Sequence, residues 1–338
     1  MFSRKHFIGR GGHWLAFSAV LPGVLLLAVF VTVVPVRAGE MDATEDRPAR
    51  PPISDVSSFT YWLANPDPAL IAASGFDLAV VDYSADGSAE RVFRPADVGL
   101  MQRRPDGGRR IVLSYMSIGE AETYRFYWRA GWAAKPPSWL EDENPDWPGN
   151  YKVRFWDPAW QRLIYGQPDS YLDRIIAAGF DGVYLDIVDA YWYFQEKGRE
   201  SAAADMIAFV TGLANHARRK HPGFLIVPQN AEDLVGIDPD YLNLIDALGK
   251  EDVFFGWEGD GVPNQPDSIA WMRRHLDMIT GAGKPVFLIE YPTGSRRIAE
   301  AYGLARDAGL TPYVTVRALD RMVINRGFDP QIGGLELR

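Results

Sequence analysis

A helical pattern that closes on glycine and gives way to a short β-branched strand recurs along this chain, and it restricts the fold more than any other feature. Ala72-Ala73-Ser74-Gly75 leads into Phe76–Asp82, Ile175-Ile176-Ala177-Ala178-Gly179 into Val183–Asp186, and Pro222-Gly223 into Phe224–Val227. Gly281-Ala282-Gly283 leads into Val286–Glu290, and Asp307-Ala308-Gly309 into Tyr313–Val316. Glycine ends a helix because it takes the left-handed conformation without a Cβ penalty. The helical stretches are amphipathic: Met206, Val210, Leu213 and Ala217 share one face, as do Ile269, Met272, Leu276 and Ile279. Further strands fit at Thr60–Trp62, Ile111–Tyr115 and Leu244–Leu248, which brings the number to eight. About 280 residues for eight βα units is the size of an α/β-class (β/α)8 TIM barrel. An open doubly wound sheet is the alternative, but no strand runs into the Gly-rich phosphate loop of that fold.

The inventory of reactive side chains narrows the chemistry. Cysteine is absent, which excludes a disulfide scaffold, a Cys-ligated metal and a thiol nucleophile. Of five histidines, His6 and His13 stand at the N-terminus, leaving His216, His221 and His275 scattered over two helical patterns. A Ser-His-Asp triad or a multi-His metal site is poorly supplied. Carboxylates are abundant, with 44 Asp and Glu.

Arg4, Lys5 and Arg10 precede an apolar run from Trp14 to Val34, and Val36-Arg37-Ala38 offers small or aliphatic residues at a cleavage site. Residues 1–38 therefore read as a secretory signal, with an uncleaved N-terminal anchor as the alternative; both export the rest. Either way the protein is expected to be secreted or periplasmic, and to meet a membrane only through that leader. Residues 39–57 read as a flexible linker and 58–338 as the barrel domain. Loss of residues 1–38 removes Arg4, Lys5, Arg10 and Arg37 and no acid, which moves the net charge from −9 to −13. Such a chain has no basic stripe for nucleic acid. It is expected to act as a monomer.

Barrel active sites form at the C-terminal ends of the strands. Asp82 ends the second strand, and the third runs through Tyr115 to Glu120. Asp186 ends the fourth, with Asp189 three residues on. Gln229-Asn230, Lys250-Glu251-Asp252 and Glu290-Tyr291 follow the next three. Alternation places Tyr184 and Asp186 toward the barrel axis and Val183 and Leu185 toward the helices. A charge on the axis is costly unless it is paired or reached by substrate. Two carboxylates suffice to cleave a glycosidic bond, one protonating the leaving oxygen and the other attacking the anomeric carbon or activating water. The acids are spread over strands rather than clustered in one loop, so neither a metal nor a cofactor is expected. Trp128, Trp132, Trp139, Trp147, Trp156 and Trp160 fall in the connection after the third strand. They either stack on sugar faces or build that connection's own small core. Tyr191, Trp192, Tyr193 and Phe194 invite the same two readings.

The stretch Gly179-Phe180-Asp181-Gly182-Val183-Tyr184-Leu185-Asp186-Ile187-Val188-Asp189-Ala190-Tyr191 closely resembles the hallmark of glycoside hydrolase family 114, the endo-α-1,4-polygalactosaminidase-like TIM-barrel family. Three further segments agree and stand in the expected order: Ser114–Glu122 with Tyr124-Arg125, Asn150-Tyr151 with Phe155–Pro158, and Pro228-Gln229-Asn230. The resemblance implies hydrolysis of α-1,4-linked galactosamine-containing polysaccharide by two carboxylates. Asp186 matches the family's strand-4 acid, as nucleophile or base, and Glu251 its strand-6 general acid; Asp252 and Glu290 are the alternatives to Glu251. Lys250 beside Glu251 would oppose an acid role, but alternation should point it elsewhere. By the same resemblance Asp82, Tyr115, Glu120, Asp189, Gln229, Asn230 and Glu290 would line the sugar subsites. Surplus acids would recognise a cationic sugar amine. The competing expectation is a non-catalytic barrel that binds polysaccharide in envelope or biofilm assembly.

Overall fold

The computed structural model describes residues 48–132 and 134–330. The expected leader, and the linker up to residue 47, lie outside the described residues. From residue 48 the chain packs beneath the barrel: Val56 is buried, Ser57 bonds the Asp77 carboxylate, and the Arg50 guanidinium donates to the Asp181 carbonyl.

Eleven strands are present among the described residues: β1 (Phe59–Trp62), β2 (Leu78–Asp82), β3 (Ile111–Ser117), β4 (Glu120–Glu122), β5 (Leu140–Glu143), β6 (Asn150–Val153), β7 (Gly182–Asp186), β8 (Leu225–Pro228), β9 (Leu248–Glu251), β10 (Val286–Glu290) and β11 (Thr311–Val314). Eight of them are parallel and follow one another around a (β/α)8 barrel in the order β1-β2-β3-β7-β8 and β9-β10-β11. An isolated parallel bridge, Gln229 to Gly249, joins β8 to β9. At the other seam the Thr60 hydroxyl donates to the Tyr313 hydroxyl, and the Phe59 and Tyr313 rings lie 5.4 Å apart. The helices between the strands pack outside, as the glycine-terminated pattern predicts.

Strand alternation divides the core in two. Phe59, Tyr61, Leu78, Val80, Leu113, Tyr115, Tyr184, Val227, Phe287, Ile289 and Tyr313 fill the barrel interior. Ala79, Val81, Val112, Val183, Leu185, Ile226, Leu288 and Val314 face the helices. Tyr184 and Asp186 thus share the axial parity expected of them, and aromatic rings form the floor beneath the barrel mouth.

One strand sits later than expected. Tyr241–Leu244 is a helical turn and β9 begins at Leu248, not Leu244. Asp246 explains the shift: its N–H donates to the Ile226 carbonyl at 2.9 Å and its carboxylate accepts the Ile226 N–H at 2.7 Å. That residue closes off the entry of β8 before β9 can pair. The strand itself, Leu-Gly-Lys-Glu, has no β-branched residue. Gly249 is required there because a Cβ would collide with the Tyr184 hydroxyl.

The acids at the strand starts are clamps. Asp77 accepts from Ser57, Ser58 and Arg104, and Asp181 from the Val112 N–H (2.9 Å), Arg109 (2.6 Å) and Gln102 (3.2 Å). Arg110 is fully buried and donates to the carbonyls of Ser74, Phe76, Met101 and Arg103, which ties two helix ends to β3.

Between β3 and β7 the chain builds an antiparallel sheet, β4-β6-β5. Its tryptophans pack mainly on one another: Trp139 lies 5.0 Å from both Trp132 and Trp160, and Trp128 lies 5.0 Å from Tyr151. Trp139 and Trp160 are buried, and Trp147 is the most exposed of the group.

Replacing Gly249 with Ala would force Tyr184 or β9 aside. We expect thermal or denaturant unfolding to show a loss of about 1–3 kcal/mol, the usual range for overpacking a filled core.

Candidate active site

Asp186 ends β7 opposite Ser117 of β3 and turns toward the axis. Its position is fixed from two sides. The Tyr115 hydroxyl donates to Oδ2 at 2.8 Å, and the Ile187 N–H donates to Oδ1 at 2.8 Å. The second bond depends on Ile187 adopting φ +57°, a left-handed conformation that a β-branched residue rarely takes. Such strain costs about 1–3 kcal/mol and persists only where the surroundings enforce it. Gly119 is part of that enforcement, since a Cβ there would strike the Ile187 carbonyl.

Glu251 ends β9 and also points inward. Gln229 donates from Nε2 to its Oε2 at 2.6 Å, and the Tyr291 hydroxyl donates to its Oε1. Asn230 supports the same residue through the backbone, its Oδ1 accepting the Glu251 N–H at 3.3 Å and the Lys250 ammonium at 3.1 Å. Asn230 and Asp252, like Ile187, are left-handed, so the turns after β7, β8 and β9 all depart from ordinary backbone.

The two carboxylates feel each other. Burial pushes the Asp186 carboxyl up to about 8, and the negative charge of Glu251 is the next largest cause. Tyr61 and Tyr184 lie beneath both acids, and their hydroxyls are held well above the usual phenol range by burial first and by the two carboxylates second. The floor of the site is therefore neutral and aromatic, and the acids stand on it at the open end of the barrel.

The remaining expected residues divide into two groups. Tyr115, Gln229 and Asn230 touch Asp186 or Glu251 directly, as described. Asp189, at the start of the helix Ala190–Glu196, lies beside them; burial first, and then Glu120 and Glu232, raise it to about 6 against the opposing pull of Lys250. Asp82, Glu120 and Glu290 do not reach the two acids. Both oxygens of Asp82 are taken by Arg125, at 2.7 and 2.6 Å, and Arg125 also binds Glu122 at 2.5 Å in a fully buried triad. Glu120 is buried against Asn144 at 2.9 Å and Lys152 at 3.3 Å. Glu290 has the outward parity of Val286 and Leu288 and accepts the Phe254 N–H at 2.7 Å, holding the turn after β9. Asp252 likewise turns away, into a two-oxygen contact with Arg317 at 2.9 and 3.0 Å. Lys250 points outward to Glu232 at 3.5 Å, on the face opposite Glu251.

Tyr291 and the Arg125 and Arg317 ion pairs were not anticipated. Tyr291 had a signal: it follows Glu290 and so takes the inward parity. Arg317 had none, and Arg125, although it stands in one of the family-like segments, gave no sign of its partner Asp82, because each meets a carboxylate more than forty positions away in the chain.

An eight-stranded α/β barrel whose mouth carries two coupled carboxylates, and no cysteine or histidine beside them, has the form of the barrel glycosidases. The chain belongs to glycoside-hydrolase family GH114, whose model matches residues 40–328. It is similar to the glycoside hydrolase domain of PelA from Pseudomonas aeruginosa, with a TM-score of 0.59 and 25% identity, covering 79% of this chain and 98% of that one. It is 41% identical to an uncharacterized protein of Deinococcus radiodurans over 76% of this chain and 78% of the other. A second uncharacterized protein, from Thermotoga maritima, is 35% identical over 81% of this chain and 85% of the other.

The raised Asp186 has a consequence for stability. A carboxyl that holds its proton more tightly when folded loses stability as pH rises from its ordinary value near 4 toward about 8, because the charged form is penalised only in the fold. Asp186→Asn removes that penalty. Melting curves should place the variant above the parent at pH 8, with the advantage gone below about pH 4.

Proposed function

We propose that this protein is an exported glycosidase that cleaves α-1,4-linked galactosamine-containing polysaccharide, with Asp186 as nucleophile or base and Glu251 as general acid. The observation that carries this reading is the placement of Asp186 and Glu251 at the ends of β7 and β9, each held by two hydrogen-bond donors above a floor of buried tyrosines. Membership of GH114 supports glycoside hydrolysis. The charged N-terminal leader supports export, and the acidic surroundings support a cationic sugar.

Burial and the negative charge of Glu251 oppose ionisation of Asp186, so the site holds a proton on Asp186 up to about pH 8. Catalysis needs that proton on Glu251, where it can pass to the glycosidic oxygen as the bond to the anomeric carbon breaks. Asp186 must then be ionised. Tyr115 and the Ile187 N–H are both donors and favour its carboxylate form. A protonated galactosamine amine entering the site acts in the same direction, because a nearby cation lowers a carboxyl pKa. Substrate binding thereby moves that proton toward the acid that uses it. Asp189, raised to about 6, becomes a stronger partner for the amine once it is ionised above that pH.

The test is release of new reducing ends from a de-N-acetylated α-1,4-galactosamine polymer. Asp186→Asn and Glu251→Gln should each cut turnover by roughly a thousandfold or more while the circular dichroism spectrum is retained. Near-normal turnover in both variants would refute the assignment, and polymer binding without any cleavage by the parent would favour a purely binding barrel. The reactive form carries one proton on the pair, so kcat/KM should fall as pH rises through about 8, the alkaline arm of a bell-shaped profile. A profile still rising at that pH would contradict this mechanism.

A further inference from the structure

We infer that a second saccharide-binding site lies on the outer wall of the barrel beside the mouth, where Gln195, Asp233, Trp271 and His275 line a depression of about 420 Å³. The identity of its ligand, a length of the same amino-sugar polymer, rests on the function proposed above.

The depression is built by three connections that leave the catalytic end of the barrel. The helix Ala190–Glu196 follows β7 and carries Tyr191, Trp192 and Gln195. Asp233 and Gly236 belong to the turn after β8, three and six positions beyond Asn230. Trp271 and His275 stand one turn apart on the helix Pro266–Gly281, which follows β9. A seven-residue helix is about 10 Å long, so Gln195 lies roughly that far from the residues flanking Asp186. A polymer crossing the rim over β7 and β8 would meet this wall next.

The side chains there are preset for a sugar ring with an amine. Trp271 is partly exposed; its ring stands 5.0 Å from His275 and 6.4 Å from Trp192. The His275 ring is held by its Nδ1, 3.1 Å from the Trp271 carbonyl. Asp233 is fixed by the Tyr191 hydroxyl on one oxygen, at 2.5 Å, and by the Trp192 indole N–H on the other, at 3.3 Å. Each oxygen keeps a second acceptor position, and the carboxylate remains partly exposed. Gly236 completes the wall facing the His275 ring and adds no side chain to it. An indole face takes the C–H face of a pyranose. An ammonium group adjoining that ring gains from both a carboxylate and an aromatic face, a pairing that neutral or acetylated sugars do not use. None of these groups touches Asp186 or Glu251, so the site serves retention of the polymer rather than bond cleavage.

The experiment uses the full chain carrying Glu251→Gln, to stop turnover, in native gels cast with partially de-N-acetylated α-1,4-galactosamine polymer. Adding Trp271→Ala should weaken retardation about fivefold, the scale of one stacking contact. Trp271→Phe keeps a ring and should retain most of the binding; melting curves check that both variants fold. The fully N-acetylated polymer should retard the protein less than the de-N-acetylated one. Equal retardation with and without Trp271→Ala, a loss with Phe as large as with Ala, or no retardation of the parent would overturn the inference. Retardation that depends on Trp271, in a protein whose wild-type form releases no reducing ends, would uphold this site while refuting the hydrolase reading.

Discussion

Two carboxylates, Asp186 and Glu251, are held together at the mouth of a barrel whose interior is otherwise filled by aromatic and aliphatic side chains. Placing a second negative charge near the first, over a floor that cannot solvate either, opposes folding. The surrounding structure offsets this with donors: a phenol and a backbone N–H for Asp186, a phenol and an amide for Glu251. The offset is incomplete, which is why Asp186 keeps its proton up to about pH 8. An acid that is easy to deprotonate would be more stable and less useful to a reaction that must deliver a proton.

The scaffold follows from that demand. β7 and β9 present their terminal residues to the axis, and the turns after β7, β8 and β9 contain non-glycine residues in the left-handed region. At β7 this conformation, at Ile187, aims a backbone N–H back at the carboxylate of the preceding residue, Asp186. The strain is local, and it is countered by rigid clamps elsewhere. Arg110 gathers carbonyls at the closed end, and the Asp82–Arg125–Glu122 triad does the same for charges at the open end. A buried triad of this kind gives little net stability, but it penalises any arrangement that leaves one member unpaired.

Much of this was legible in the sequence. Glycine-terminated helices followed by short strands marked the eight-stranded α/β barrel, and the alternation Val-Tyr-Leu-Asp placed Asp186 on the axis. The same parity rule, applied to Val286–Glu290, would have turned Glu290 outward and brought in Tyr291. Leu248–Glu251 was harder, because a strand without β-branched residues shows no strand-like pattern; its glycine answers to Tyr184, sixty-five positions earlier. Nor could local pattern reveal that Asp82 is occupied by Arg125 or Asp252 by Arg317, since those pairs are set by the closure of the barrel. The tryptophan-rich connection supplied both of its readings with the same residues, and packing of the rings on each other is the one the structure displays for most of them.

The central claim is that burial and the charge of Glu251 together hold the Asp186 carboxyl protonated. Carbon-13 labelling of the aspartate side chains would allow the Asp186 carboxyl to be followed by NMR across pH in the parent and in Glu251→Gln. The account predicts that its pKa, about 8 in the parent, drops when the neighbouring charge is removed yet stays above the ordinary carboxylate range, because burial is the larger cause. An unchanged titration in the variant, or an ordinary carboxylate pKa in the parent, would show that Glu251 does not act on the proton of Asp186.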